Sequence, residues 1–398
     1  MRNTPAISAA EMVVERTAPA PQKTATCDVR VHDNLASVQS IWHRLEQISG
    51  GTAYQSYAFC KAWFETIGAA DGIAPMIVHI ADASRGIELI WPFAVSRKAG
   101  CRVVHFAGGK HSNYNLPLGL FAKLEGAELR ELLLDAARMA GIDLIKLKDQ
   151  PHVWQGLSHP LASLAHTASP SSAWNTDLIG DPDAAKARIM SAESLKKMRT
   201  KERKLAELGP VTYGVASTQG EIDAALEAFL SHKKIRFAAM GVPNPFADTA
   251  VVDFLRHLTL APKASSSSPA PMQFHTLKVG GTIAALFGGM TRNGRFHGMV
   301  TSFNGDPAIA KYGPGDLLLL NMISTMGTQG LTCFDLGIGD AAYKTAYCPN
   351  EDKLFDSCMS VTTKGAILCS TLTMLTRLKR YVKAHPSLLS FARKFQRH

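Results

Sequence analysis

The sequence predicts an α/β (α+β) protein made of two fused units, each a mixed, mostly antiparallel sheet flanked by helices. Three observations carry this reading. The chain has 398 residues, 46% hydrophobic and 19% charged, enough for two cores at about 100–200 residues per domain. A set of three strand-like segments with short turns occurs twice, at 74–106 and 272–303. Each set is followed by the same succession of Tyr-containing loop, apolar helix and strand, which marks an internal duplication of one α/β unit.

Residues 1–22 hold Pro5, Pro19 and Pro21 among many Ala and Thr, with no basic-then-apolar order. The segment 1–24 is therefore expected to be a disordered tail, not a signal peptide. Residues 34–48 and 57–68 read as helices, with Trp42, Leu45 and Ile48 in one stripe. The first strand set is APMIVHIAD, IELIWPFAVSR and CRVVHFAGG, separated by SRG and KAG. The loop NYNLPLG then leads to the helix ELRELLLDAARMAG, stopped at Gly141, and to the strand IDLIKLKD. The second half begins with helices at 184–208 and 221–240. The stretch APKASSSSPAP (261–271) reads as a surface linker. The strands MQFHTLKV, TIAALFGGMT and RFHGMVTSF follow, then the loop KYGPG, the helix DLLLLNMISTMGTQG stopped at Gly330, and the strand LTCFDLG. The expected units are 25–192 and 193–365, with a basic amphipathic tail at 366–398.

Charge and cysteine usage narrow the class. The net charge of +10 is concentrated in two places, +4 over residues 195–209 and +7 over 371–398. Local patches of this kind suit an anionic partner and do not make a general nucleic-acid coat. In the tail, Leu375, Leu378, Lys379, Val382 and Lys383 precede Pro386, a pattern that fits either an anionic membrane surface or packing on the body of the protein. Seven cysteines without a C-x-x-C predict reduced, buried thiols and neither a disulfide framework nor a zinc site. No apolar run reaches the ~18 residues of a membrane span. The expected location is cytoplasmic, peripheral to the inner membrane surface if the tail binds lipid. There is no H-E-x-x-H, G-x-S-x-G or G-x-x-x-x-G-K-[ST], which disfavours metal hydrolase, α/β-hydrolase and P-loop readings, and no metal is expected.

Four groups of residues carry candidate chemistry. In KYGPGD, Gly313 and Gly315 permit a tight turn before a helix whose free N–H groups suit a pyrophosphate, making Tyr312, Gly313, Gly315, Asp316 and Leu317 the expected donor-binding set. Asp316 can equally be a plain N-cap. In DLGIGDAAYK, Asp335 or Asp340 offers a base, Tyr343 an acid and Lys344 an oxyanion or phosphate partner; the plain alternative is an Asx-type turn with a snorkelling lysine. In the first unit, His111, Asn113, Tyr114 and Asn115 could bond sugar hydroxyls, with Tyr114 stacking on a sugar face. On the helix 221–240, Lys233 interrupts the stripe Ile222, Leu226, Phe229, Phe237 and Met240; with His232 and Arg236 it could meet an anionic acceptor, or it could snorkel.

The segments IELIWPFAV, FAGGKHSNYNLPL, KKMRTKERKLAELGPV, YGPGDLLLL and FDLGIGDAAYKTAY, in this order and over roughly residues 50–350, resemble the CelD-type (cellulose-biosynthesis-associated) acetyltransferases of the GNAT superfamily. The layout is related to that of the tandem-GNAT Fem peptidyltransferases. The resemblance implies two fused GNAT-like units, in which the strand before the central helix splays from its neighbour to admit a donor. It further implies acyl transfer from acetyl-CoA or another acyl-CoA to a saccharide, nucleotide-sugar or lipid-linked acceptor, as in polysaccharide biosynthesis. The common donor loop of that superfamily, Arg/Gln-x-x-Gly-x-Gly/Ala, is replaced here by Lys311-Tyr312-Gly313-Pro314-Gly315-Asp316. Two other readings stay open: a Fem-like transferase using charged tRNA held by the basic helix 195–209, and a non-catalytic accessory protein of polysaccharide assembly.

Overall fold

A computed structural model describes residues 27–260 and 271–384. The tail read at 1–24, the linker read at 261–271 (save Pro271) and the chain beyond 384 lie outside the described residues. The first half contains strands β1 (Asp28–His32), β2 (Ala74–Asp82), β3 (Ile87–Lys98), β4 (Cys101–Phe106), β5 (Leu118–Leu120), β6 (Leu144–Pro151), β7 (Val153–Trp154), β8 (Leu157–Ser158), β9 (Thr167–Ala168) and β10 (Ala173–Asp177). Its helices are α1 (Gln39–Ile48), α2 (Tyr57–Trp63) and α3 (Gly126–Met139). The second half contains α4 (Pro182–Ile189), α5 (Ala192–Ala206), β11 (Val211–Val215), α6 (Gln219–Met240), α7 (Thr249–Thr259), β12 (Gln273–Val279), β13 (Thr282–Arg292) and β14 (Arg295–Phe303). After these come α8 (Pro307–Ala310), α9 (Pro314–Met326), β15 (Cys333–Ile338), α10 (Ala342–Tyr347), β16 (Asn350–Asp352), β17 (Leu354–Ser360) and α11 (Thr363–Ala384).

The duplication is visible in the strand order. The first sheet runs β1-β2-β3-β4-β6-β17-β9 with β5 on β3, and the second runs β11-β12-β13-β14-β15-β10-β16. In both, an antiparallel meander is followed by a helix (α3, α9) and a strand parallel to the last one (β4 with β6, β14 with β15). Alternation along β3 sends Ile87, Leu89, Trp91 and Phe93 into the core under α3, and Ile90 and Ala94 into a second core. That second core is shared: Trp42, Tyr54 and Phe59 of the first half pack with Phe229, Phe254, Phe274 and Leu286 of the second. The halves also trade strands. β10 joins β15 in the second sheet, and β17 returns to β6 in the first, so the sheets cross the sequence boundary expected at 192/193.

Several expectations need correction. The helix read at 184–208 is two helices, because Ser191 stops α4 and caps α5 by accepting from Ser194 N–H. Ile48 does not extend the buried stripe of Trp42 and Leu45; it is 52% exposed at the end of α1. Met240, likewise, is exposed at the end of α6. Cys358 of β17 and Cys369 of α11 lie side by side with Cα atoms 6.2 Å apart; Cys27, Cys60, Cys101 and Cys348 are free and buried as expected, and Cys333 is free but only half-buried. Among the described residues, no helix is long and apolar enough to cross a membrane.

Candidate active site

The parallel pairing of β14 with β15 covers only Arg295, Phe296 and His297 against Cys333, Phe334 and Asp335. β14 then continues to Phe303 without its neighbour, and the strands part. At the point of parting, Gly298 allows close approach: a Cβ there would lie 2.7 Å from Phe287 and 2.9 Å from the Asp335 carbonyl oxygen. Asn113 of the first unit fills the apex of the split. Its Nδ2 donates to Gly298 O (3.2 Å) and to Tyr54 Oη (2.7 Å), and its Oδ1 accepts from Ile338 N–H (3.2 Å). Gly337, at φ +69°, makes room for it, since a Cβ there would sit 2.2 Å from Asn113 Nδ2.

Beneath the apex is a buried polar centre built by both units. The Arg295 guanidinium donates to Asp335 (2.9 Å) and Asp352 (2.8 Å), lies over the rings of Trp154 and Tyr114, and bonds the Tyr114 hydroxyl (3.1 Å). Tyr114 and Asn175 both donate to Asp352. Asp335 also accepts from Gly337 N–H (2.6 Å). Burial raises the Asp335 carboxyl from its ordinary value against the opposing pull of Arg295. Its oxygens are engaged by Arg295 and the Gly337 amide, so the carboxylate expected as a base holds the strand pair together instead. His297 is enclosed beside it, with Nδ1 unpartnered and 3.8 Å from Asp335; burial holds it well below the usual imidazole range and hence neutral.

The mouth of the split lies at the far end of β14. His232 and Arg236, one turn apart on α6, meet Ser302 Oγ (3.1 Å) and the Phe303 ring. Phe303 in turn touches the position a Gly315 Cβ would take, at 4.0 Å. The α9 helix starts at Pro314, not Asp316, with Gly313 as a left-handed N-cap residue. Most of the loop's amides are bonded internally: Tyr312 N–H to Ile309 O, Gly313 N–H to Ala310 O, and Asp316 and Leu317 N–H to Gly313 O. Asp316 faces Tyr347, whose hydroxyl donates to it (3.1 Å), and Leu317 is buried in a third core, between α9 and the second sheet, with Phe287, Phe296 and Phe334. The positive charge at this mouth therefore comes from side chains as well as the helix end. Lys201 Nζ of α5 lies 3.6 Å from a Gly313 Cβ position, Lys311 lies over Tyr312, and Arg236 stands on Phe303. Tyr343 of α10 is half-buried near Arg236, and its hydroxyl has no partner among the described residues. Burial raises it, so it stays protonated at neutral pH.

The remaining candidates are dispersed. Lys344 spends its three donors on the carbonyls of Leu336, Gly337 and Ile338, closing the end of β15 and leaving no donor for an oxyanion. Asp340 is exposed and accepts from Ser171. Lys233 turns away from Arg236 into a cage of Phe229, Phe237 and Phe246, where burial lowers it to about 8. In the first-unit loop, Tyr114 and Asn115 are buried and bonded inside the protein, which leaves Tyr114 no open face for a sugar. His111 packs on Phe254 and is lowered to about 4 by burial. Sequence reasoning missed Tyr54, Arg295, His297 and Asp352; Lys201 and Lys311 lay in the basic helix and the loop it singled out, without being named as site residues. The alternation Arg295, His297 inside an apolar strand was the available signal, since i and i+2 share a face. Among the described residues no cluster of His, Cys, Asp or Glu is arranged to hold a metal.

Residues 192–345 match the family model for an acetyltransferase (GNAT) domain. No curated protein matches the chain. Among solved structures, the chain is similar to FemX, at TM-score 0.55 and 10% identity over 82% of this chain and 96% of that one. It is also similar to a conserved protein of unknown function from Bacteroides thetaiotaomicron, at TM-score 0.52 and 12% identity over 84% of this chain and 100% of that one. The repeated sheet order and the splayed β14–β15 pair accompany this match: residues 192–345 are similar to GNAT acetyltransferase domains, within a fold of two fused α/β units of one design.

Proposed function

We propose that the second unit transfers an acyl group from an acyl-CoA to an amine or hydroxyl of a saccharide-related acceptor, in the manner of the CelD-type enzymes of polysaccharide biosynthesis. The observation that carries this is the parting of β14 and β15 with the amino end of α9 and three cations, Lys201, Arg236 and Lys311, at its mouth. Phosphates would meet these cations, and the amide-bearing arm of the donor would run along the unpaired edge of β14 toward Asn113. The acceptor attacks the thioester carbonyl directly, the C–S bond breaks, and the departing thiolate takes a proton from Tyr343. His232, lowered by burial and 3.1 Å from Ser302 Oγ at the mouth end of this edge, is the candidate base. The test is thiol release from acetyl-CoA with an amino sugar such as glucosamine, alongside calorimetric CoA binding. Gly315→Val should weaken CoA binding by pressing on Phe303, and Tyr343→Phe should slow release by about two to three decades with unchanged melting. Parent protein that neither binds CoA nor releases thiol, or variants that match the parent, would overturn the reading.

One observation favours the tRNA-dependent alternative: α5 leaves Lys196, Lys197, Arg203 and Lys204 at the surface beside the same mouth. Salt-sensitive binding of charged tRNA without CoA binding would select it.

A further inference from the structure

The helix α11 is only half accounted for by the fold. Its inner residue Leu372 is buried against Cys101, Val103 and Leu144 of the first sheet, with Leu368 and Cys369 beside it. On the opposite side Ile367 (68% exposed), Met374 (72%) and Leu378 (53%) recur at spacings of seven and four, an apolar stripe interrupted at Thr371, and Leu375 flanks it. Isolated exposed apolar residues need no explanation; a stripe along one helix marks a contact surface.

Charge says what kind of contact. After Asp356 the sequence contains no acidic residue through position 398, and it holds eight lysines and arginines: Lys364, Arg377, Lys379, Arg380, Lys383, Arg393, Lys394 and Arg397. Lys98, the cross-strand partner of Cys101, lies on the same face of the sheet as Cys101, beside the docked end of the helix. A second copy of this face would bring these cations against one another. Lys364 is paired with Asp143 (3.1 Å), but every other charged residue in the sequence of the helix is likewise basic, and an apolar stripe on such a helix is complementary to a surface that is apolar below and anionic above.

We propose that α11 is a membrane-surface helix, which seats Ile367, Met374 and Leu378 at the acyl boundary of a bilayer and places Arg377 among anionic headgroups. The helix lies in the interface and does not span it. The inner row at Leu372 keeps it fixed to the first unit, so binding presents the whole molecule to the lipid surface in one orientation.

The test is flotation of the full chain with vesicles of phosphatidylcholine containing about one third phosphatidylglycerol, beside vesicles of phosphatidylcholine alone. The parent should float with the anionic vesicles, should not float with the neutral ones, and should be released by about 0.5 M salt. The double variant Met374→Glu/Leu378→Glu and the variant Arg377→Glu should each weaken binding at least about tenfold. Circular dichroism should show both folded, since Met374 and Leu378 face solvent. Equal binding to neutral vesicles, or variants that float like the parent, would overturn the proposal. So would a dimer in light scattering that Met374→Glu/Leu378→Glu dissociates, or retention by duplex RNA with none by vesicles.

Discussion

The contact between Gly337 and Asn113 can be measured as a single energy. In Gly337→Ala, the added Cβ would stand 2.2 Å from Asn113 Nδ2 and 2.5 Å from its Cγ, so the side chain must leave the split. Asn113 then loses its bonds to Gly298 O, Tyr54 Oη and Ile338 N–H, worth about 1 kcal/mol each, or about 3 kcal/mol together. The backbone at φ +69° adds about 1–2 kcal/mol for any residue with a Cβ. Gly337→Ala should therefore cost about 4–5 kcal/mol in urea unfolding, and Asn113→Ala about 3 kcal/mol. In the double variant the clash is gone, only the backbone strain is new, and the cost should again be about 4–5 kcal/mol. The cycle should thus close with an interaction of about −3 kcal/mol between residues of different units. Additivity within about 0.5 kcal/mol would refute the contact, because it would mean that Asn113 is not in the split when Gly337 is present.

Two further outcomes follow from groups outside the mouth. Lys344→Met removes three charge-assisted bonds to strand-end carbonyls and should lower stability by about 2–4 kcal/mol in urea unfolding; a variant as stable as the parent that has lost turnover would return Lys344 to the chemistry. Asp149 is raised to about 6 by burial and by Asp356, and sits at φ +55°, a conformation asparagine tolerates. Because its folded value lies above the ordinary 3.8, its contribution is full below that value and is lost as pH rises through about 6. Asp149→Asn should therefore stabilise by about 3 kcal/mol near pH 8 and change nothing near pH 3.5, as read by unfolding at the two pH values.

The meanders were legible because alternation and short turns are local: SRG, KAG, GG and RNG each close a hairpin within the residues that announce it. The strand exchange was not. β10 is five residues, AWNTD, and β17 is seven, LFDSCMS; neither contains anything that assigns it to its own sheet or to the other, since pairing partners more than 150 residues distant leave no local mark. The site divided along the same line. Asp335 stood out as a carboxylate in an apolar strand, but its role depends on Arg295, 40 residues earlier in the chain, and on a second carboxylate, Asp352. Lys344 read as a free cation because the carbonyls it binds converge only once Gly337 and Gly339 take positive φ.

The exchange also explains why two units of one design differ. In the first unit the pairing of β4 with β6 is short, reaching from Val103–Leu144 to Val104–Ile145, and the edge of β6 beyond it is open to a partner. That partner is the protein's own chain: Asn115 donates its main-chain N–H to Asp149 O and its Nδ2 to Lys148 O. The first split is thus closed by the loop that follows β4. Two residues earlier the same loop sends Asn113 across to the second split, where it satisfies only Gly298 O and Ile338 N–H and leaves the β15-facing edge of β14 without a strand partner from Met299 to the mouth. One loop therefore seals the first unit and completes the second. Arg295 is fixed from three directions by this arrangement, through Tyr114 from the loop, Asp335 from β15, and Asp352, itself held by Asn175 of the exchanged β10. A fragment of residues 192–365 would carry the whole matched stretch and the mouth, yet lack Tyr54, Asn113, Tyr114 and β10. The geometry of the split belongs to the fused pair.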